Sequence, residues 1–160
     1  MSVLSEQIDA VATRQHNLHK DKPEDAIGHS VEQRRIGVAG EFAFGEWCGI
    51  YPDTSDKRHG DGGKDFTLPL LFTVDVKTSP RPDNLLVEQG MIRADIYVLA
   101  EYDNASGKAA LLGWTWAGNV RLAPVEKSKY GKLNHTIPRG NLRDMAELAS
   151  MMGQWQRGRK

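Results

Sequence analysis

The sequence predicts an α/β fold, with a central mixed sheet of four or five strands flanked by helices. Short segments rich in β-branched and aromatic residues, separated by Pro, Gly and Asn turns, run from 65 to 114. Apolar residues at helical spacing come before this region, and another such stripe follows it. A chain of 160 residues can build one real core but not two domains of ordinary size. We therefore expect a single domain over 1–160.

An added helix is expected at each end of the chain. The N-terminal segment 1–25 has apolar residues near helical spacing over about 3–19: Leu4, Ile8, Val11, Ala12 and Leu18. The C-terminal segment 117–155 ends in a helix that Asn141 is suited to cap. Its apolar stripe is Leu142, Met145, Leu148 and Met152. Residues 156–160 are expected to form a mobile tail.

A second helix is predicted immediately before the sheet region. Ser30 and Gln33 have the spacing of a capping box, and Gly49 is suited to the C′ position that ends a helix. Gly37 and Gly40 each cost helix stability of about 1 kcal/mol relative to alanine. That cost predicts close packing of another part of the chain against this helix.

The predicted strands alternate with turn residues. They cover 65–68, 72–78, 85–87, 95–100 and 109–114. A polar, glycine-rich connection over 51–64 leads into the first of them.

Composition excludes several classes of protein. The 21 basic residues balance 21 acidic ones, so no global charge marks a nucleic-acid-binding protein, although basic residues cluster locally, as over 127–132. Each cluster is as consistent with a solvated surface as with a phosphate contact. No apolar run is long enough to span a membrane, and no secretory signal is visible, so a cytoplasmic location is expected. Cys48 cannot form an intrachain disulfide and is expected to be a small core residue.

Acidic residues and one lysine form the pattern with the clearest chemical meaning. Asp75 and Lys77 are two residues apart on a predicted strand, so their side chains share a face, while Val76 points to the other. Asp65 begins the preceding strand, and Glu41 lies at the border of the apolar face of the second helix. Carboxylates in this number are the ligands that Mg²⁺ prefers in proteins. A bound metal would polarise a phosphoryl oxygen and activate a water, and Lys77 would stabilise the developing charge.

These residues resemble the PD-(D/E)XK nucleases, a superfamily of restriction endonucleases, resolvases and phage nucleases. Gly40-Glu41 resembles the glutamate of the family's first helix, Asp65 its first aspartate, and Asp75-Val76-Lys77 its (D/E)-x-K motif. The resemblance covers about 30–116. It implies a restriction-endonuclease-like fold and a DNA endonuclease dependent on Mg²⁺ or Mn²⁺, of the phage, repair or resolvase type.

The resemblance also implies a role for each matching residue. Asp65 and Asp75 would bind the metal, the Val76 carbonyl would complete the shell, Glu41 would bind the metal or its water, and Lys77 would act on the nucleophile. Lys64 stands where the family name has proline. Small members dimerise to cut two strands, so a homodimer is compatible with the resemblance.

Alternative interpretations remain open at several positions. Asp61 is a rival for the first acid because the glycines around it make that loop adaptable. Asp95 fits a strand-end cap or an ion pair with Arg93 better than a site residue, and Thr78 fits a phosphate contact only by analogy. Trp114 and Trp116 fit core or edge packing better than base stacking.

Two other functional classes compete with the endonuclease. One is a catalytically inactive module that keeps the nuclease fold and binds nucleic acid or a protein partner. The other is a purely structural domain whose acids are incidental.

Overall fold

The computed structural model describes residues 3–19, 31–51 and 64–158. The α-helices within these ranges are α1 (Val3–His19), α2 (Val31–Cys48), α3 (Ala117–Leu122) and α4 (Met145–Arg157). The strands are β1 (Phe66–Thr67), β2 (Thr73–Ser79), β3 (Asn84–Glu88), β4 (Ile96–Asp103), β5 (Lys108–Trp116), β6 (Val125–Lys127) and β7 (Leu133–Pro138). None of the described helices has the length and apolar character needed to cross a membrane.

The main sheet has four strands in the order β1-β2-β4-β5. Strands β2 and β4 are parallel, with Asp75 opposite Tyr97 and Lys77 opposite Leu99, whereas β1 and β5 pair antiparallel to their neighbours. The predicted α/β fold with a mixed sheet flanked by helices is therefore confirmed.

A second sheet, which the sequence did not predict, has the order β3-β7-β6. The predicted strand at 85–87 belongs to this sheet and not to the main one. Its inward residues Leu85 and Val87 are buried in one cluster with Tyr97 and Leu99 of β4. The second sheet therefore covers one face of the main sheet.

Helix α2 lies against the opposite face. Phe44 of α2 packs with Val74 and Val76 of β2, in a core that also takes Trp114 from β5 and Leu148 from α4. Helix α1 packs outside α2 through Ile8, Val11 and Ala12, which meet Val38 and Ala39. The main sheet is thus enclosed between the helices and the second sheet.

Of Gly37 and Gly40 in α2, close packing explains only Gly40. A Cβ at Gly40 would collide with the hydroxyl of Thr78 on β2, whereas one at Gly37 would meet no described atom within 4 Å. Gly40 therefore lets α2 approach the strand that carries Asp75 and Lys77.

The ends of the helices agree with the sequence in part. Gly49 has a φ of 72°, as a C′ glycine requires, but Ser30 lies outside the described residues. The expected cap at Asn141 is wrong, because α4 begins at Met145 and the Asp144 carboxylate accepts the Ala146 N–H at 2.8 Å. Helix α4 continues to Arg157, into the segment expected to be a tail.

Candidate active site

Asp75 and Lys77 form an ion pair on one face of β2. The Lys77 Nζ lies 2.8 Å from Asp75 Oδ2; the side chains are 40% and 8% exposed. Their neighbours Val74 and Val76 point the other way into the core, which fixes the strand. The alternation predicted from the sequence thus brings the acid and the lysine together on a rigid element.

The Lys77 ammonium is held in its charged form. Burial of part of the side chain disfavours the charge, but the carboxylates of Asp75 and Asp65 outweigh it, and the pKa of Lys77 is raised. Lys77 is therefore a cation at neutral pH, suited to stabilising negative charge and not to accepting a proton.

Asp65 joins this pair through the backbone of β2. Strand β1 begins only at Phe66, which pairs with Val74, and the N–H of the preceding Asp65 donates to the Val74 carbonyl at 2.7 Å. Further along β2, where β1 offers no backbone partner, the Asp65 Oδ2 accepts the Val76 N–H at 2.7 Å. A residue in a strand directs its N–H and C=O to the same edge, so the Val76 carbonyl also faces Asp65.

These groups fit a hard divalent cation by their chemistry. Asp65, Asp75 and the carbonyl of Val76 supply oxygen donors around one short segment of β2. Mg²⁺ is commonly held by one or two carboxylates, with water and substrate phosphate filling its other positions. The donor set therefore suits Mg²⁺ or Mn²⁺ without requiring a third carboxylate.

Glu41 lies on a different element from the other two acids. It follows Gly40 on α2, the helix that packs against the Val74 and Val76 face, opposite the face of Asp75. In the described part of the chain, no three His, Cys, Asp or Glu side chains are grouped closely enough to hold a metal. The role of Glu41 stays a prediction, and the rival Asp61 lies outside the described residues.

Tyr97 lies on the same face of the main sheet as Asp75 and Lys77, although it was not among the residues predicted from the sequence. It lies opposite Asp75, is fully buried, and interacts with the Lys77 charge. Its hydroxyl accepts the N–H groups of Arg93 at 2.9 Å and Ala94 at 3.3 Å. Tyr97 could have been found from the sequence only by predicting that β4 pairs with β2, because that pairing places it beside Asp75.

The structure assigns packing or capping roles to several weaker candidates. Asp95 caps the start of β2, where its Oδ2 accepts the Thr73 N–H at 2.9 Å and hydroxyl at 2.8 Å. Thr78 faces α2, away from Asp75, and its buried hydroxyl finds no hydrogen-bond partner among the described residues. Trp114 is fully buried, as expected for core packing, and donates its Nε1–H to the Asp144 carbonyl.

Cys48 packs against the main core, in agreement with its expected role as a small core residue. It is half-buried against the main core, and burial raises the pKa of its thiol. A thiol held in its protonated form is a poor nucleophile, so Cys48 is a packing residue.

Comparison of the chain with protein-family models, with curated proteins and with solved structures finds no significant match.

Proposed function

We propose that this protein is a DNA endonuclease that uses Mg²⁺ or Mn²⁺ to hydrolyse phosphodiester bonds, on a restriction-endonuclease-like fold. The observation that carries the proposal is the convergence of Asp65, Asp75 and Lys77 on β2. Asp75 and Lys77 share β2 whereas Asp65 lies just before β1, and an ordinary surface ion pair would not need the Asp65 contact to the Val76 backbone.

Each residue has a distinct role in this proposal. Asp65, Asp75 and the Val76 carbonyl would hold the metal, which when bound supplies a Lewis acid and a water of lowered pKa. Lys77, kept charged by its neighbours, orients the nucleophile and stabilises the negative charge that develops on the phosphoryl oxygens. Glu41 would bind the metal or its water.

Cleavage of a panel of DNA substrates tests the proposal. Supercoiled plasmid, linear duplex, single strands and a four-way junction are incubated with wild-type protein in Mg²⁺, Mn²⁺ or EDTA. We expect metal-dependent cleavage of at least one substrate, and loss of that cleavage in Asp75→Ala and Lys77→Ala. Glu41→Gln shows separately whether the third acid takes part. Equal cleavage by the wild type and both site variants would rule the assignment out.

One observation favours a second candidate, a nuclease-fold module that binds nucleic acid without cutting it. Asp75 is already neutralised by Lys77, and Glu41 does not complete a three-acid group among the described residues. This candidate predicts no cleavage with any metal, but DNA binding that weakens with added salt. Cleavage in Mn²⁺ that Asp75→Ala abolishes would exclude it.

A further inference from the structure

The hairpin of β6 and β7 projects a basic, aromatic tip from the second sheet. Residues 125–133 contain three lysines and one glutamate, so the hairpin is positive although the chain as a whole is neutral. Lys127, Lys129 and Lys132 are all exposed, and Tyr130 between them is 80% exposed. An aromatic ring left this open among cations is typical of a surface that contacts nucleic acid.

The tip is held in one conformation by its own backbone. The Ser128 N–H donates to the Lys132 carbonyl at 2.7 Å, and the Gly131 N–H donates to the Ser128 carbonyl at 2.9 Å. Gly131 has a φ of 84°, which a residue with a side chain rarely adopts. The Ser128 hydroxyl also accepts the Lys132 N–H at 3.2 Å. Lys129 and Tyr130 therefore stand at the apex of an ordered turn.

Two of the three lysines are available to phosphate. Lys132 pairs with Glu88 at 3.2 Å, whereas Lys127 and Lys129 have no carboxylate partner within the described ranges. The Lys129 ammonium lies 4.9 Å from the centre of the Tyr130 ring. The contact places a positive charge over one face of the ring, so a base would stack on the opposite face.

We propose that the β6–β7 hairpin binds the substrate nucleic acid, with Lys127 and Lys129 on phosphates and Tyr130 stacked on an unpaired base. The inference rests on the proposed function for the identity of the polymer. It adds a preference for DNA with unpaired nucleotides, since a stacking ring needs a base outside the duplex. Strand β3 follows β2 in the chain and pairs with β7, so the second sheet connects the hairpin to the strand that carries Asp75 and Lys77.

Fluorescence anisotropy with labelled single-stranded and duplex oligonucleotides of the same sequence tests the hairpin. The wild-type chain is titrated in EDTA, so that binding is read without cleavage. Lys127→Gln/Lys129→Gln is expected to weaken binding to both DNAs and to lower the slope of log K against log salt by about 1–2. Lys108→Gln, at an exposed lysine of β5, controls for the loss of a surface charge elsewhere and should bind as the wild type does.

The ring is tested by a second pair of variants. Tyr130→Ala should weaken binding to the single strand about tenfold and leave binding to the duplex unchanged, whereas Tyr130→Phe should bind both as the wild type does. Circular dichroism confirms that each variant is folded. Wild-type affinity in the double lysine variant, or equal loss on single strand and duplex in Tyr130→Ala, would overturn the inference.

The outcomes separate this inference from the proposed function. DNA binding that depends on the hairpin, in a protein that never cuts, supports the hairpin and defeats the endonuclease. Cleavage by a protein whose DNA binding does not depend on the hairpin supports the endonuclease and defeats the hairpin inference. A chain that binds no DNA defeats both.

Discussion

The Asp65 carboxylate accepts a hydrogen bond from the backbone N–H of Val76 at 2.7 Å, and so is fixed by the strand that carries Asp75 and Lys77. The contact exists because β1 is only two residues long and begins at Phe66, after Asp65. A side chain therefore continues the hydrogen bonding that a longer strand would have supplied. The first acid of the candidate site is therefore fixed to β2 by hydrogen bonds although it lies just before β1.

Replacing Asp65 by asparagine should separate its structural role from its proposed chemical role. Asparagine keeps an oxygen that accepts the Val76 N–H, so the free energy of unfolding should change by less than about 1 kcal/mol. Removing the negative charge should lower the cleavage rate in Mg²⁺ on the order of 100-fold. Urea denaturation and plasmid nicking measure the two effects. A folded Asp65→Asn variant that cuts at the wild-type rate would remove Asp65 from the site.

Alanine at Gly37 and alanine at Gly40 of α2 should change the free energy of unfolding in opposite directions. At Gly40 the new methyl group meets Thr78, so Gly40→Ala should lower the free energy of unfolding by about 1–3 kcal/mol. At Gly37 there is no such neighbour, and Gly37→Ala should raise it by up to about 1 kcal/mol. Urea denaturation of the wild type and both variants measures these changes in the free energy of unfolding.

A companion variant tests the cause of the Gly40 effect. Gly40→Ala/Thr78→Ala should recover part of the lost stability, because the colliding hydroxyl is removed. Equal effects of alanine at Gly37 and Gly40 would contradict the packing of α2 on β2.

The start of α4 should depend on Asp144 and not on Asn141. The Asp144 carboxylate accepts the Ala146 N–H, so Asp144→Ala should cost about 1 kcal/mol of stability. Asn141 lies in a separate 3₁₀ turn, and Asn141→Ala should have almost no effect. Thermal unfolding measures both. A larger loss at Asn141 than at Asp144 would show that the helix begins where the sequence analysis placed it.

Asp95 should stabilise the fold in a pH-dependent way. The Thr73 N–H lowers the pKa of Asp95, slight burial opposes this, and the Thr73 hydroxyl lowers it further. The carboxylate therefore contributes stability above its unfolded pKa, about 3.9, and loses it as the pH falls through the lower folded value. Because the group is exposed, the contribution at neutral pH is about 1 kcal/mol or less.

The melting temperatures of the wild type and Asp95→Asn test this pH dependence. The gap between them should be present at neutral pH and narrow as the pH falls below 4, the region near the unfolded pKa. A gap that stays constant across this range would show that the Asp95 charge is not involved.

Local patterns in the sequence were sufficient for part of the site. Alternation over β2 placed Asp75 and Lys77 on one face, because the period of a strand is independent of its partners. Gly49 marked the end of α2 because the C′ position requires a positive φ. The helices α1 and α2 and most strands of the main sheet followed from such local signals.

Features that depend on pairing between distant residues were not predicted. The Asp65 contact with Val76 and the position of Tyr97 beside Asp75 depend on which strands pair. Strands β6 and β7 were not predicted because most of their residues are polar or exposed, so the sequence shows no strong apolar alternation there. The cap of α4 was placed at Asn141 and not at Asp144 because both residue types are common caps, so residue type alone does not choose between them.

The central claim is that Lys77 acts with Asp65 and Asp75 in metal-dependent cleavage of DNA. The most direct measurement is the rate of plasmid nicking in Mg²⁺ or Mn²⁺ by the wild type, Lys77→Ala and the control Lys108→Ala, at equal concentrations of folded protein. We predict nicking by the wild type and the control, and a loss of at least about 100-fold in Lys77→Ala. Equal nicking by all three proteins, or none by the wild type with either metal, would contradict the account.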